Sequence, residues 1–392
     1  MTWEIFKFEL QFRKKRPATY IYFFIMFLLP FLAAAWDDLT IGGAAGQIKE
    51  NAPHNISFMM LIVTAIPGLL LAAGIMGVPV IRDYENKTSS LFFTTPITKF
   101  QYLTGRFLGS FAVALFVFSG MVWGMVLGHL SPWPDPDNMQ PFNLSHYIYP
   151  FFTLVVPNLF IMSGIFFMGG ALSKKLLVVF TQGIALLVGY MVSLQIISDL
   201  DSQTTAALLD PFALGTHNFA TQYWTVAEKN AQVVPLEGIL MTNRLVWIGV
   251  SILSLLATYF FFTFAASKKG SKKKIAAIPE VGTAQVASQT IIPQVTQYDG
   301  FKTNISQMFG MSWFYFNWIR KQIPFIAIVI AGIGILITDA QYWGKYYDVF
   351  RLPTTYSMLE LISQFNLFFI IIIVMYTGEL IWKERDLSLI HI

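Results

Sequence analysis

Residues able to carry acid–base, nucleophilic or metal chemistry are few in this chain and stand apart from one another. The five histidines, His54, His129, His146, His217 and His391, fall in separate stretches, and cysteine is absent, which removes disulfides, thiolate catalysis and Cys-based metal sites. There is no HExxH for a zinc hydrolase and no GxxxxGK followed by Ser or Thr to cradle nucleotide phosphates; the sole Gly-Lys pair is Gly344-Lys345. The histidines read as solvated, and neither catalytic nor metal-ligating residues are expected.

One segment does gather charged, hydroxylic and aromatic side chains at short spacing: RDYENKTSSLFFTTPITKFQYLTGRF, from Arg82 to Phe107. Its chemistry is recognition. Thr88, Ser89 and Ser90 suit a helix N-cap, Leu91, Phe92 and Phe93 form an apolar knob, and Thr95-Pro96 offers a second cap with Pro at the first helical position. Two short helices with a break are predicted. Phe100, Leu103 and Phe107 give the second an apolar face that lies along a membrane before the next span. Protruding aromatics on such a loop can fill a groove on a soluble partner and pass on a rigid-body push.

The elements on either side of this segment are set by hydropathy. With 55% hydrophobic and only 12% charged residues, against about 25% charged in soluble domains, the chain is a membrane protein. Apolar runs near the roughly 17–25 residues that cross a bilayer occur at 18–36, 57–81, 107–130, 147–172, 176–197 and 245–266, with two more at 324–338 and 359–381. The fold class is therefore an all-α integral membrane protein. Lys and Arg are one-sided. Lys7, Arg13 to Arg16, Arg82, Lys87, Lys99, Arg106, Lys174, Lys175 and the lysines from Lys268 to Lys274 fall on alternate sides of the first six spans from Lys49, Lys229 and the boundary residue Arg244. Retention of positive loops inside predicts a cytoplasmic N-terminus, and the net charge of +4 reflects membrane anchoring with no nucleic-acid partner. No cleavable signal peptide is expected ahead of the first span.

The N-terminal segment MTWEIFKFELQFRKKRP (1–17) places Trp3, Phe6 and Leu10 on one helical face, with Arg13 to Arg16 against anionic lipid. This amphipathic helix is expected to lie flat on the inner leaflet. Residues 267–307 have the composition of a cytosolic linker. Beyond it the pattern restarts: FELQFRKKRP before the first span is matched by FYFNWIRKQIP before the span at Pro324, and RDYENK by WKERD, at offsets of just over 300 residues. A parallel repeat needs an even number of spans in its first unit, and six satisfies that. The expected domains are thus the interfacial helix 1–17, a six-span unit 18–266, the linker, and the start of a second unit with two spans, 308–392. Pro30, Pro67 and Pro157 are candidate kinks, and the glycines of GMVWGMVLG and GIFFMGGAL permit close helix packing.

This arrangement resembles the ABC-2 type permease family, the membrane subunits of one class of ATP-binding-cassette exporters. The residues that carry the resemblance are Asp83, Glu85, Thr88, Leu91, Phe92, Thr95, Pro96, Lys99, Gly105 and Arg106, between the second and third spans; Lys87 departs from the usual Gly. DPFALGTHNFATQYWTVAEKN, from Asp210, is similar to two-unit permeases of the Bacteroidetes type, some of which carry a peptidase-like domain. The resemblance implies a permease of a bacterial inner membrane with an ATPase-coupling segment at Asp83, Glu85, Thr88, Leu91, Phe92, Phe93, Thr95, Pro96, Lys99 and Arg106. It implies a separate ABC ATPase dimer holding ATP and Mg, a second permease unit as partner, and no cofactor or enzymatic activity in this chain. A secondary transporter would need ionisable groups near the bilayer midplane, and the middles of the first six spans hold only neutral polar residues such as Asn158, Ser163, Gln182 and Ser193. The alternative is a non-transporting scaffold or assembly protein linked to a peptidase domain.

Overall fold

The computed structural model describes residues 1–36, 48–86, 88–89, 92, 94–197, 202–264, 300–342, 345–346, 349–350, 354–363 and 365–386. Helices dominate: α1 (Thr2–Lys14), α2 (Pro17–Ala35), α3 (Pro53–Ala65), α4 (Pro67–Met76), α5 (Val78–Glu85) and α6 (Lys99–His129) are followed by α7 (Ser145–Pro150) and α8 (Val156–Ser173). Then come α9 (Leu176–Ile196), α10 (Gln203–Leu209), α11 (Leu214–Thr221), α12 (Val226–Ala231), α13 (Gly238–Phe261), α14 (Phe301–Ile319), α15 (Ile323–Tyr342), α16 (Thr355–Ser363) and α17 (Asn366–Asp386). A two-residue antiparallel ladder joins Lys345–Tyr346 to Val349–Phe350.

Among the described residues six helical segments are long and apolar enough to cross a membrane: α2, α6, Ser145–Ser173, α9, α13 and Ile323–Gln341. The pair α3 and α4, bent by 50°, makes a seventh if counted as one span. The protein is therefore a multi-pass all-α membrane protein. The bend falls just before Pro67, whose ring denies the helix an N–H; Pro30, by contrast, lies within an unbroken α2. Pro157 follows a π-helical turn, Phe151–Val155, that keeps Ser145–Ser173 continuous.

Two boundaries differ from expectation. Helix α6 is a single 31-residue element that starts at Lys99, because Thr98 and Gln101 form a reciprocal capping box there; Thr95 and Pro96 sit in the turn before it. Leu103 and Phe107 are consequently buried in the bundle, and the second of the two expected short helices is the start of α6 itself. Helix α13 starts seven residues before Leu245, which places Arg244 inside the span.

Small residues set the helix contacts. Gly120, Gly124 and Gly128 line one ridge of α6, and a Cβ at Gly120 would stand 2.8 Å from the Phe23 carbonyl oxygen of α2, while one at Gly128 would stand 2.7 Å from Ala34 Cβ. Gly164 abuts Ser251 of α13, and Gly170 abuts the backbone of Gly77. Backbones approach closely where side chains are missing, which is how helices associate without a hydrophobic gradient. The expected linker is largely outside the described residues, and α14 starts at Phe301. Ile328 and Ile335 of α15 pack with Phe368 of α17 against Ile184, Val188 and Met191 of α9.

Candidate functional site: a shared ionic junction at the basic end

Helix α1 buries a stripe at spacings of four, Ile5, Glu9 and Arg13. The stripe fits α6 because Gly105 and Gly109 lack side chains: a Cβ at either would stand 2.7 Å from Ile5 Cβ or Glu9 Cβ. Trp3, Phe6 and Leu10, the expected membrane face, are not the buried one; Trp3 is exposed and stacked on Phe6 at 5.0 Å, and Leu10 is half-buried against the core. Arg13, expected at the lipid surface, is instead buried, while Lys14, Lys15 and Arg16 are exposed. Its guanidinium donates to the Ile75 carbonyl at 2.7 Å and so ties α1 to the end of α4.

Glu9 is the centre of the site. Its carboxylate is fully buried and accepts from Arg13 Nε at 3.0 Å, Arg82 Nη2 at 2.7 Å and Arg106 Nη1 at 2.7 Å. Arg106, also fully buried, turns its other nitrogen to Asp83 at 2.8 Å, and Tyr102 donates its hydroxyl to the same carboxylate at 2.7 Å. Burial alone would raise the Glu9 carboxyl; Arg13, Arg82 and Arg106 outweigh it and hold the group at about 2. For Asp83, burial prevails over the pull of Arg106 and pushes the carboxyl up. Aromatic rings surround the cations: Phe8 and Phe92 lie 5.1 and 5.2 Å from the Arg106 guanidinium, and Phe12 lies 3.9 Å from that of Arg82.

The residues expected from sequence fall into three groups. Asp83 and Arg106 meet in the junction, and Thr88 is half-buried with its hydroxyl donating to the Asp83 carbonyl at 3.2 Å. Glu85, Thr95 and Pro96 are exposed, and Lys99 reaches across to the end of α13, donating to the Phe260 carbonyl at 3.2 Å. Phe92 corrects the expectation of a protruding knob: it is half-buried, edge-on to Phe8 at 6.2 Å and facing Arg106. Leu91 and Phe93 lie outside the described residues. Glu9, Tyr102, Phe8 and Phe12 were not singled out from sequence. Glu9 stands four residues before Arg13, a spacing at which opposite charges meet on a helix, and that was its available signal.

The other end of the bundle is polar too, but differently built. Asp210 accepts from the backbone N–H groups of Phe212 at 2.9 Å, Gly215 at 2.7 Å and Thr216 at 3.4 Å, capping α11. Burial pushes its carboxyl up against those bonds and the Arg244 charge. Arg244 is buried and donates to the side-chain oxygens of Asn158 and Asn243 and to the Pro211 carbonyl. Asn158 and Asn243 each donate onward, to the carbonyls of Phe212 and Asp210, both at 2.9 Å. Spans α8 and α13 thereby clasp the 207–216 segment.

The histidines also correct the reading as solvated residues. Three are buried: His129 pairs with the Tyr147 hydroxyl at 2.8 Å, and His54 and His217 face each other with ring centroids 4.9 Å apart. Residues of other elements cover them, Tyr147 at His129 and Phe58 at His217, which spacing along the chain could not show. Burial, with His54 and Lys229 nearby, holds His217 down at about 3, so its ring is neutral. No group of three His, Cys, Asp or Glu gathers among the described residues. No family model and no curated protein matches the chain.

Proposed function

We propose that the chain is the membrane subunit of an ATP-driven exporter similar to the ABC-2 permeases, energised by a separate ATPase dimer seated at the basic end. The observation that carries this reading is Glu9, one carboxylate holding Arg13 of α1, Arg82 of α5 and Arg106 of α6 together. A push on the turn at Thr95 and Pro96 reaches the junction through Phe92, and the ions pass it to the interfacial helix and the third span as one body. This moves the partner contact from the Phe92 ring to the exposed Glu85, Thr95 and Pro96, with Phe92 as the connection beneath. The concentration of Lys and Arg at this end makes it the cytosolic side, where ATP is held. The segment from 308 onward acts in the same reading as the start of a second, parallel unit.

Purification from native membranes tests the proposal. An ATPase should co-purify with the wild-type chain, and Thr95→Arg should reduce its recovery while the chain remains monodisperse. Recovery of the chain without any ATPase, at every detergent condition that keeps it folded, contradicts the reading. Since there is no native Cys, a Cys placed at Ser271 fixes orientation: it should be labelled only from the cytosolic side.

A further inference from the structure

The seam between α9, α15 and α17 is thin. Among the described residues its buried members are Ile328 and Ile335 of α15 and Phe368 of α17, with Ile184, Val188, Met191 and Val192 of α9 packed beside them. The inward face of α15 is a stripe at helical spacing, Pro324, Ile328, Gly332, Ile335 and Asp339. Its last member is an acid. Asp339 lies inside the span Ile323–Gln341, is 2% exposed, and has no hydrogen-bond partner at either carboxylate oxygen. Glu9, Asp83 and Asp210, by contrast, are all held by cations or backbone N–H groups. Among the described residues no cation pairs with Asp339 from any element packed on α15. The one titratable side chain of α9 is Tyr190, whose ring meets Phe212. On α17, Tyr376 meets Phe325 at the other end of α15, with centroids 5.9 Å apart, and Glu379, Lys383, Glu384, Arg385 and Asp386 follow beyond it. Helix α16 carries Tyr356, which is exposed, and Glu360. Lys345, Asp348 and Arg351, between α15 and α16, have side chains outside those described.

We infer that Asp339 is a proton-binding site: it holds a proton while α15 lies against α9 and α17, and releases it when that seam opens. An ionised carboxylate taken out of water with neither a cation nor a donor beside it is among the costliest groups a fold can bury, and it escapes the cost by becoming neutral. Within a membrane span the cost is larger, and ionisable side chains there mark ion or proton sites. A metal ion would find nothing to complete its shell, since no group of three His, Cys, Asp or Glu gathers among the described residues. The seam is suited to opening, because it rests on Ile328, Ile335 and Phe368, whereas the main core is continuous from Ile5 to Phe262. The closed form binds one proton more than the open form, so acid favours closure and rising pH favours opening. Their ratio changes by up to about tenfold per pH unit. This chemistry is independent of any ATPase partner.

The test uses the full chain and its lack of native Cys. Leu194→Cys on α9 and Ile337→Cys on α15, both at exposed positions, carry spin labels whose separation is followed from about pH 5 to about pH 9. With Asp339 in place, one short distance should dominate in acid, and a second, longer one should grow as pH rises. Asp339→Asn keeps the size but has no proton to lose, and Asp339→Leu removes the polar atoms; both should hold the short distance throughout. In parallel, dicyclohexylcarbodiimide, an apolar reagent that attacks protonated carboxyls, should modify Asp339 in wild type, with the site located by peptide mapping. Each variant is checked for monodispersity and a cooperative melt, so that a change in distance is not a loss of fold. A carboxylate paired with a cation, Lys345 or Arg351 included, would resist the reagent and leave the distance unchanged with pH. Either result in folded protein that retains Asp339 overturns the inference, as does the same pH response in Asp339→Asn and Asp339→Leu.

Discussion

The two ends of the helical bundle each bury an acid and arginine, yet they satisfy them in opposite ways. At the basic end the partners are ions from different elements: Glu9 of α1 holds Arg82 of α5 and Arg106 of α6, and Arg106 in turn holds Asp83. At the other end Asp210 is satisfied by the backbone N–H groups of its own turn, and Arg244 by the amide oxygens of Asn158 and Asn243. A carboxylate capped by its own backbone fixes a local shape. A carboxylate shared among three helices joins bodies that could otherwise move apart, and its strength depends on every partner remaining charged. The comparison distinguishes a junction between separate helices at the basic end from a local clasp at the other.

The largest effect should come from removing the shared ion. Glu9→Ala leaves Arg13, Arg82 and Arg106 buried without their common counter-charge, and uncompensated buried charge costs about 3–5 kcal/mol. A lower melting temperature and faster proteolysis near α1 should result. A Glu9→Ala protein as stable as wild type would show that the junction is not a structural centre.

Acid should distinguish the ends by a slightly smaller amount. The folded Glu9 carboxyl lies at about 2 against an ordinary value of 4.5, so it contributes stability that is fully present above 4.5 and lost as pH falls from there toward 2. The amount is about 3 kcal/mol. Asp210 is pushed up, not down, and protonating it has the opposite sign. Hydrogen exchange between pH 5 and pH 3 should therefore show α1 loosening before the 207–216 segment, and the reverse order would remove the distinction.

Arg244→Ala comes next. It strips a donor from the buried oxygens of Asn158 and Asn243, while Asp210, which also feels the Arg244 charge, keeps the backbone N–H groups of its own turn, a loss of about 1–3 kcal/mol. Its effect on melting should be smaller than that of Glu9→Ala and insensitive to salt. The smallest change is Phe92→Ala, which removes one half-buried ring from Phe8 and Arg106, about 1 kcal/mol. That loss should be measurable in the isolated chain, because the ring packs inward; an unchanged melt would restore Phe92 to the surface.

Much of the membrane architecture was legible in sequence because bilayer thickness acts on local composition. The runs at 18–36, 147–172 and 176–197 became α2, Ser145–Ser173 and α9 within a few residues. Positions that depend on tertiary partners were not legible. Arg13 and Arg244 looked like boundary cations until the fold brought the Ile75 carbonyl to Arg13 and Asn158 to Arg244 from far along the chain. Asp83 and Arg106 were singled out for their place in a loop, but the acid that unites them with α1 was hidden in a helix valued for its aromatic face. Phe92 shows the same limit: an apolar residue in a polar loop signals burial against something, and only the fold tells whether that is a partner or the chain itself.

The central claim is that Glu9 transmits force between the turn at Thr95 and the third span, and one substitution tests it without removing the side chain. Glu9→Gln keeps the volume and one acceptor oxygen but withdraws the charge that Arg13, Arg82 and Arg106 share. ATPase recovery and ATP hydrolysis are measured for wild type and Glu9→Gln in the same membranes. The account predicts that the ATPase co-purifies with both, since Glu85, Thr95 and Pro96 are untouched, while stimulation of hydrolysis by the permease chain is lost in the variant. Full stimulation with folded Glu9→Gln protein would contradict it.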